Sequence, residues 1–212
     1  MTIAGQVQHL PCNEGAHHLH GGPLGFDRQL WVGVFEGEAL VFRRTSPAWE
    51  MGYPGSLNVE VRYWLTATAH LQVEMLAQID APTPCNLAHP SYWNLVGSGT
   101  VLDHVMTSPA AFPLATDGDL LPTGEVLAVY GTACEFRAGR TIGQDFDTAS
   151  LRPNTKGTAG VGHDHALVLG VADTYGMRHA DSLFSPGSGL GFNFRTTAPA
   201  CKSIPAVILD HI

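Results

Sequence analysis

Two neighbouring stretches alternate apolar and polar side chains with a period of two, and this constrains the fold more than any other feature. Leu57, Val59, Val61, Tyr63 and Leu65 would share one face, with Asn58, Glu60 and Arg62 on the other. After a polar, small-residue break over 66–69, Leu71, Val73, Met75, Ala77 and Ile79 alternate with Gln72, Glu74 and Gln78. Successive side chains of a strand point to opposite faces, so this pattern predicts an antiparallel pair with one face buried. Shorter strands are expected over 37–43, 125–129, 166–171 and 190–195.

Turn residues punctuate these runs: Gly52-Tyr53-Pro54-Gly55, Pro122-Thr123-Gly124 and Pro186-Gly187-Ser188-Gly189. The 24 glycines and 14 prolines suit many turns. No long stretch carries an i, i+3, i+4 apolar stripe, so little helix is expected. Neither a repeat nor a linker-like change in composition divides the chain, which reads as one all-β sandwich domain over residues 1–212.

The charge pattern excludes several function classes. Net charge is −8, and the only run of cations is Arg43-Arg44. A nucleic-acid or anionic-membrane surface needs clustered Lys and Arg, so neither partner is expected. No apolar run approaches a membrane span. Cys12, Cys85, Cys134 and Cys201 follow no metal or redox spacing, and the start shows no basic and apolar leader pattern. A cytoplasmic location is therefore the expectation.

Three histidine-containing clusters are candidates for a site. In Asn13-Glu14-Gly15-Ala16-His17-His18-Leu19-His20-Gly21-Gly22, an extended backbone would place His18 and His20 on one face. Metal ligation, a packed or solvated role and ligand contact all stay open there, although no third ligand follows at a suitable spacing. Gly162-His163-Asp164-His165 reads either as a polar turn entering a strand or as a binding element. His89-Pro90-Ser91-Tyr92-Trp93-Asn94 sets rings among hydrogen-bonding side chains, a mixture that suits a sugar. No nucleophile elbow, P-loop or dinucleotide fingerprint is present.

Taken together the segments resemble a known family. LHGGPLGFDRQLW (19–31) is similar to the LHGG-x-x-GFD-x-x-x-W signature of aldose 1-epimerases, the galactose mutarotases. GYPGSLNVEVRYWL (52–65), TPCNLAHPSYWNLVG (83–97), LDH (102–104), LPTGEV (121–126), GTACEFR (131–137), GHDHALVL (162–169) and TTAP (196–199) follow in the family's order. The resemblance implies a large antiparallel β-sandwich of galactose mutarotase type. It also implies interconversion of the α and β anomers of a free aldose such as galactose or glucose, without cofactor or metal.

Carried over residue by residue, the resemblance makes His20 and Asp164 sugar-binding. The family's general acid is the histidine directly before Ser-Tyr in its H-S-Y-F-N-L motif, and here that slot holds Pro90. His89 stands one residue early and is the candidate substitute. In an extended chain it would face away from the slot. Lys202 stands where a sugar-binding glutamine belongs, Ile204 replaces an aromatic, and Leu190 replaces the arginine of a Ser-Gly-Arg turn. The family's N-R-I arginine and L-E-T-Q glutamate have no counterpart within 1–212, so the domain is expected to be incomplete at both ends and impaired in catalysis. The alternative is a non-catalytic carbohydrate-binding or degenerate mutarotase-like domain. Sheet edges left open by missing strands predict a homodimer.

Overall fold

The computed structural model describes residues 1–117, 119, 121–145 and 165–203. The chain divides into two units, Met1–His89 and Pro90–Ile212. The first begins with a minimal hairpin, β1 (Thr2–Ile3) and β2 (Gln6–Val7). Both residues of its turn, Ala4 and Gly5, have positive φ, as the tight turns matched to strand twist require.

Four strands then form an antiparallel meander in chain order: β3 (Val32–Glu36), β4 (Ala39–Ser46), β5 (Leu57–Leu65) and β6 (Leu71–Ile79). The two strands with the strongest alternation end where the pattern ends. Their register pairs Leu57 with Ile79 and Leu65 with Leu71. Ala69 takes a left-handed φ of 58°, while Thr66 closes the hairpin by donating its N–H to the His70 carbonyl and accepting the His70 N–H at Oγ1.

Burial fades along this sheet. Leu57 and Val59 are buried, Tyr63 is half-buried and Leu65 is exposed. On β6 the expected buried face is not formed: Leu71, Met75 and Ile79 are all exposed and only Val73 is half-buried. An edge strand has a neighbour on one side alone, so its apolar positions lack the cover that β5 receives from β4.

The second unit carries two four-stranded antiparallel sheets. Their strands are β7 (Val105–Thr107), β8 (Phe112–Thr116), β9 (Pro122–Val126), β10 (Arg140–Thr141), β11 (His165–Val168), β12 (Arg178–Phe184), β13 (Gly191–Thr196) and β14 (Ala200–Ser203). One sheet is ordered β10-β7-β12-β13 and the other β14-β11-β8-β9. Ala110, Leu167, Leu169 and Ala180 form a buried cluster with Cys201 packed against it, joining residues of both sheets. Val101, Met106, Ala133, Phe136 and Ile142 form a second cluster. None of the four cysteines is in a disulfide, and burial pushes the Cys201 thiol up to about 11.

The all-β expectation holds, and the only helical pieces among the described residues are 3-10 turns at Phe26–Arg28 and Glu50–Gly52. Several boundaries move. The turn expected at Pro122-Thr123-Gly124 lies inside β9, as an irregularity in the pairing with β8 where Gly124 has φ +87°. The reversal comes earlier because Asp117 Oδ1 accepts the N–H groups of Asp119 and Leu121. The turn around Pro186–Gly189 is where expected, closed by Ser185 N–H to Leu190 O. No described helix is long and apolar enough to cross a membrane.

Candidate functional site

The loop that carries His20 is built by side-chain bonds to backbone. The Asn13 side chain donates to Leu19 O at 3.0 Å and accepts Leu19 N–H at 2.8 Å, spanning the turn between them. The neighbouring His18 ring is pinned between Pro11 O (2.7 Å from Nδ1) and the Tyr53 hydroxyl (2.9 Å from Nε2). A carbonyl can only accept, so Nδ1 carries the proton and Nε2 accepts from Tyr53. Gly22 packs on that ring, where a Cβ would stand 2.6 Å from Cε1.

The condition under which His18 and His20 would share a face, an extended backbone through His20, is not met. His20 sits in a turn with φ +53°, so strand alternation does not relate it to His18. His18 serves as a structural strut, and His20 is left exposed. Its carbonyl abuts Gly25 so closely that any Cβ there would collide with it. Among the described residues no group of three or more His, Cys, Asp or Glu side chains is placed to hold a metal ion.

Arg44 of β4 holds this loop to the sheet. Its guanidinium lies 5.4 Å from the centroid of the Phe26 ring and 2.5 Å from Glu50 Oε1. Ser46 Oγ donates to the other Glu50 oxygen at 2.5 Å. The Arg44 side chain is only 9% exposed, so the pair is largely desolvated. Trp31 completes the clamp by donating Nε1–H to Phe26 O at 3.0 Å and meeting the Phe26 ring edge-on. Arg44 was absent from the sequence-based candidates; only its place beside Arg43 set it apart.

His89 lies against Tyr63, ring centroids 5.4 Å apart, and Tyr63 meets Phe42 at 6.0 Å, so three rings run across β4 and β5. The backbone from 83 to 94 belongs to no strand, so period-two alternation does not set the direction of His89 relative to the Pro90 slot. The His89 side chain is exposed.

Beyond Pro90 the same motif is anchored within the second unit. Trp93 packs on Phe192 of β13 at 5.3 Å. Asn94 donates to Ser98 O and Gly99 O and accepts Val96 N–H. Leu95 N–H is taken by His104 Nε2 at 3.0 Å, and His104 is fully buried. Desolvation holds the His104 pKa below the ordinary value, opposed by a hydrogen bond to the Val101 backbone and by Asp103. A neutral ring with Nε2 accepting is the state these partners need. Asp164 and Ile204 lie outside the described residues. For Lys202 the backbone alone is placed, opposite Ala166 in the β11–β14 pairing.

The sequence profile of the aldose 1-epimerase family matches residues 1–202. Galactose mutarotase from Rattus norvegicus is 41% identical over 211 residues, which is 99% of this chain and 58% of the rat protein. Aldose 1-epimerase from Escherichia coli is 31% identical over 203 residues, 95% of this chain and 57% of that one. Among solved structures, a GalM/aldose epimerase homologue from C. elegans superimposes with a TM-score of 0.81 at 26% identity, covering 95% of this chain and 59% of its own. The chain belongs to the aldose 1-epimerase family. It spans less than two thirds of the length of these relatives.

Proposed function

We propose that this chain acts on a free aldose such as galactose or glucose, interconverting its α and β anomers with impaired catalysis. The observation that carries the reading is the LHGG loop, which presents an exposed His20 from a clamp of Asn13, Gly25 and the Arg44–Phe26 contact, within a chain of this family. In this reading His20 and Asp164 bind sugar hydroxyls. The reaction needs a base to take the anomeric proton and an acid to protonate the ring oxygen. The C–O bond then breaks, the aldehyde turns, and re-closure gives the other anomer. Each positioned proton-transfer group is worth roughly 10²–10⁴-fold. His89, one residue from the Pro90 slot and resting on Tyr63, is the side chain we assign as a weak acid.

One observation favours a second reading, a non-catalytic carbohydrate-binding domain. Proline has no titratable group, so the acid position of the family is chemically silent at Pro90. Polarimetry or exchange NMR on freshly dissolved α-galactose separates the two. A rate above the buffer control supports the enzyme; a rate equal to it, with galactose still binding, leaves the binding domain; neither removes both.

Three accompanying proposals complete the reading. Residues 1–212 act as a single mutarotase-like domain, supported by the profile match over 1–202. The location is cytoplasmic. A homodimer would use open edges such as that of β6, where Leu71, Met75 and Ile79 are exposed.

A further inference from the structure

The face of the β3–β6 sheet opposite Tyr63 carries a feature that the sugar reading does not use. Register places Arg62 beside Val41 on β4 and Glu74 on β6; Trp64 follows two residues along β5 on the same face, and Ala39 of β4 is opposite Glu36. Ala39 is the smallest side chain in that row, so the surface sinks between Glu36 and Trp64. The result is an open groove of about 440 Å³ lined by Glu36, Glu38, Ala39, Arg62, Trp64 and Glu74. Strands two apart are separated by roughly 10 Å, room for one small ligand over the alanine floor.

We propose that this groove binds a small organic ammonium ion, with the Trp64 indole facing its apolar body and Glu38 and Glu74 supplying the charge. Both arginines nearby are already committed. Arg43 bridges Glu36 (2.7 Å) and Glu60 (2.6 Å), and Arg62 bridges the same two carboxylates, each at 2.7 Å. That ring of two cations and two anions is neutral as a whole. Glu38, in the turn after Gly37, and Glu74 on β6 are both exposed and make no ion pair or hydrogen bond among the described residues. Two uncompensated carboxylates therefore flank an aromatic ring.

The geometry selects among occupants. The carboxylates do not converge as a metal-ligand group, so a bare inorganic cation has no coordination shell here. A neutral sugar could stack on the indole, yet the two carboxylates would keep their unbalanced charge. An ammonium with methyl or methylene groups answers both features, since cations are attracted to the face of Trp within about 6 Å of its centroid.

The test follows the four tryptophan indole N–H resonances of the full chain by NMR, with Trp64→Phe identifying that of Trp64. Tetramethylammonium chloride is the probe, sodium chloride at equal ionic strength the control, and galactose the second arm. The Trp64 resonance is expected to shift saturably with tetramethylammonium alone. The double substitution Glu38→Gln, Glu74→Gln is expected to weaken that binding about tenfold or more. Both positions are exposed and unpaired, so the variant keeps its fold and a dispersed spectrum verifies this. An unmoved Trp64 signal, an equal response to sodium or to galactose, or undiminished affinity in the double variant each overturns the proposal.

Discussion

The guanidinium of Arg44 lies 5.4 Å from the Phe26 ring centroid while gripping Glu50, and through this contact the sheet holds the loop that presents His20. Removing the arginine leaves Glu50 charged and largely buried with Ser46 as its remaining partner. Arg44→Ala is therefore expected to lose roughly 3 kcal/mol in urea denaturation. Arg44→Lys should fall between, since lysine keeps the charge but not the planar contact with Phe26. A loss below about 1 kcal/mol in the alanine variant would show that the clamp contributes little.

Gly25→Ala sets a methyl group against the His20 carbonyl and 2.8 Å from Asp27 Oδ1, so backbone has to move. A destabilisation of about 1–3 kcal/mol is expected, together with displaced amide resonances from His20 to Asp27. Gly97→Ala is the contrast: nothing lies within 4 Å of the new Cβ, and the φ of +83° alone costs roughly 1 kcal/mol. Equal behaviour of the two variants would remove close packing as the reason for Gly25.

His104 makes stability depend on pH. Its folded pKa lies below the ordinary 6.5, so the unfolded chain takes up the proton first. Stability from this group is complete above about pH 6.5. It declines as pH falls from there towards the folded pKa, by at most about 1.4 kcal/mol per pH unit. His104→Gln removes the titration and retains an acceptor for Leu95 N–H, so its urea midpoint should vary less between pH 7.5 and 5. Parallel profiles for the two proteins would exclude His104 as the source.

At the reacting centre, Pro90→His is expected to raise the polarimetric rate with α-galactose by about 10²-fold over the parent's catalysed rate. His89→Ala should abolish whatever excess over buffer the parent shows. If Pro90→His changes nothing, the proline is not what limits turnover.

His20→Ala tests binding separately from chemistry. The side chain is exposed, so stability should stay within about 0.5 kcal/mol. Loss of one hydrogen bond should weaken galactose affinity roughly tenfold in an NMR titration. Unchanged affinity would remove His20 from the sugar site.

The fold was legible where apolar and polar side chains alternate along a strand, whether or not a face is then buried. Strands β5 and β6 end at the residues where the alternation ends. Gly191–Thr196 was readable in the same way from Leu190, Phe192 and Phe194. Strand β12 was not, because its sequence Arg-His-Ala-Asp-Ser-Leu-Phe breaks period and its pairing with β13 contains a register shift between His179 and Asp181. Strands β7 and β14 are too short to show a period, and their long-range partners decide them. At the site, motif order marked His20, His89 and Pro90. The work of Arg44 and His104 was hidden, since it depends on contacts with Phe26, Glu50 and Leu95 that only folding creates.

The meander from β3 to β6 pairs each strand with the next in chain order, through tight turns where Glu36 faces Ala39 and Leu65 faces Leu71 and through residues 47–56 between β4 and β5. In the second unit, by contrast, Thr107 must find Ser182, and Val168 must find both Phe112 and Ala200. Closing long loops costs entropy before any contact repays it. Because synthesis also delivers the N-terminal strands first, the sheet that anchors the His20 loop can assemble on the ribosome while the partners of β7 are still untranslated.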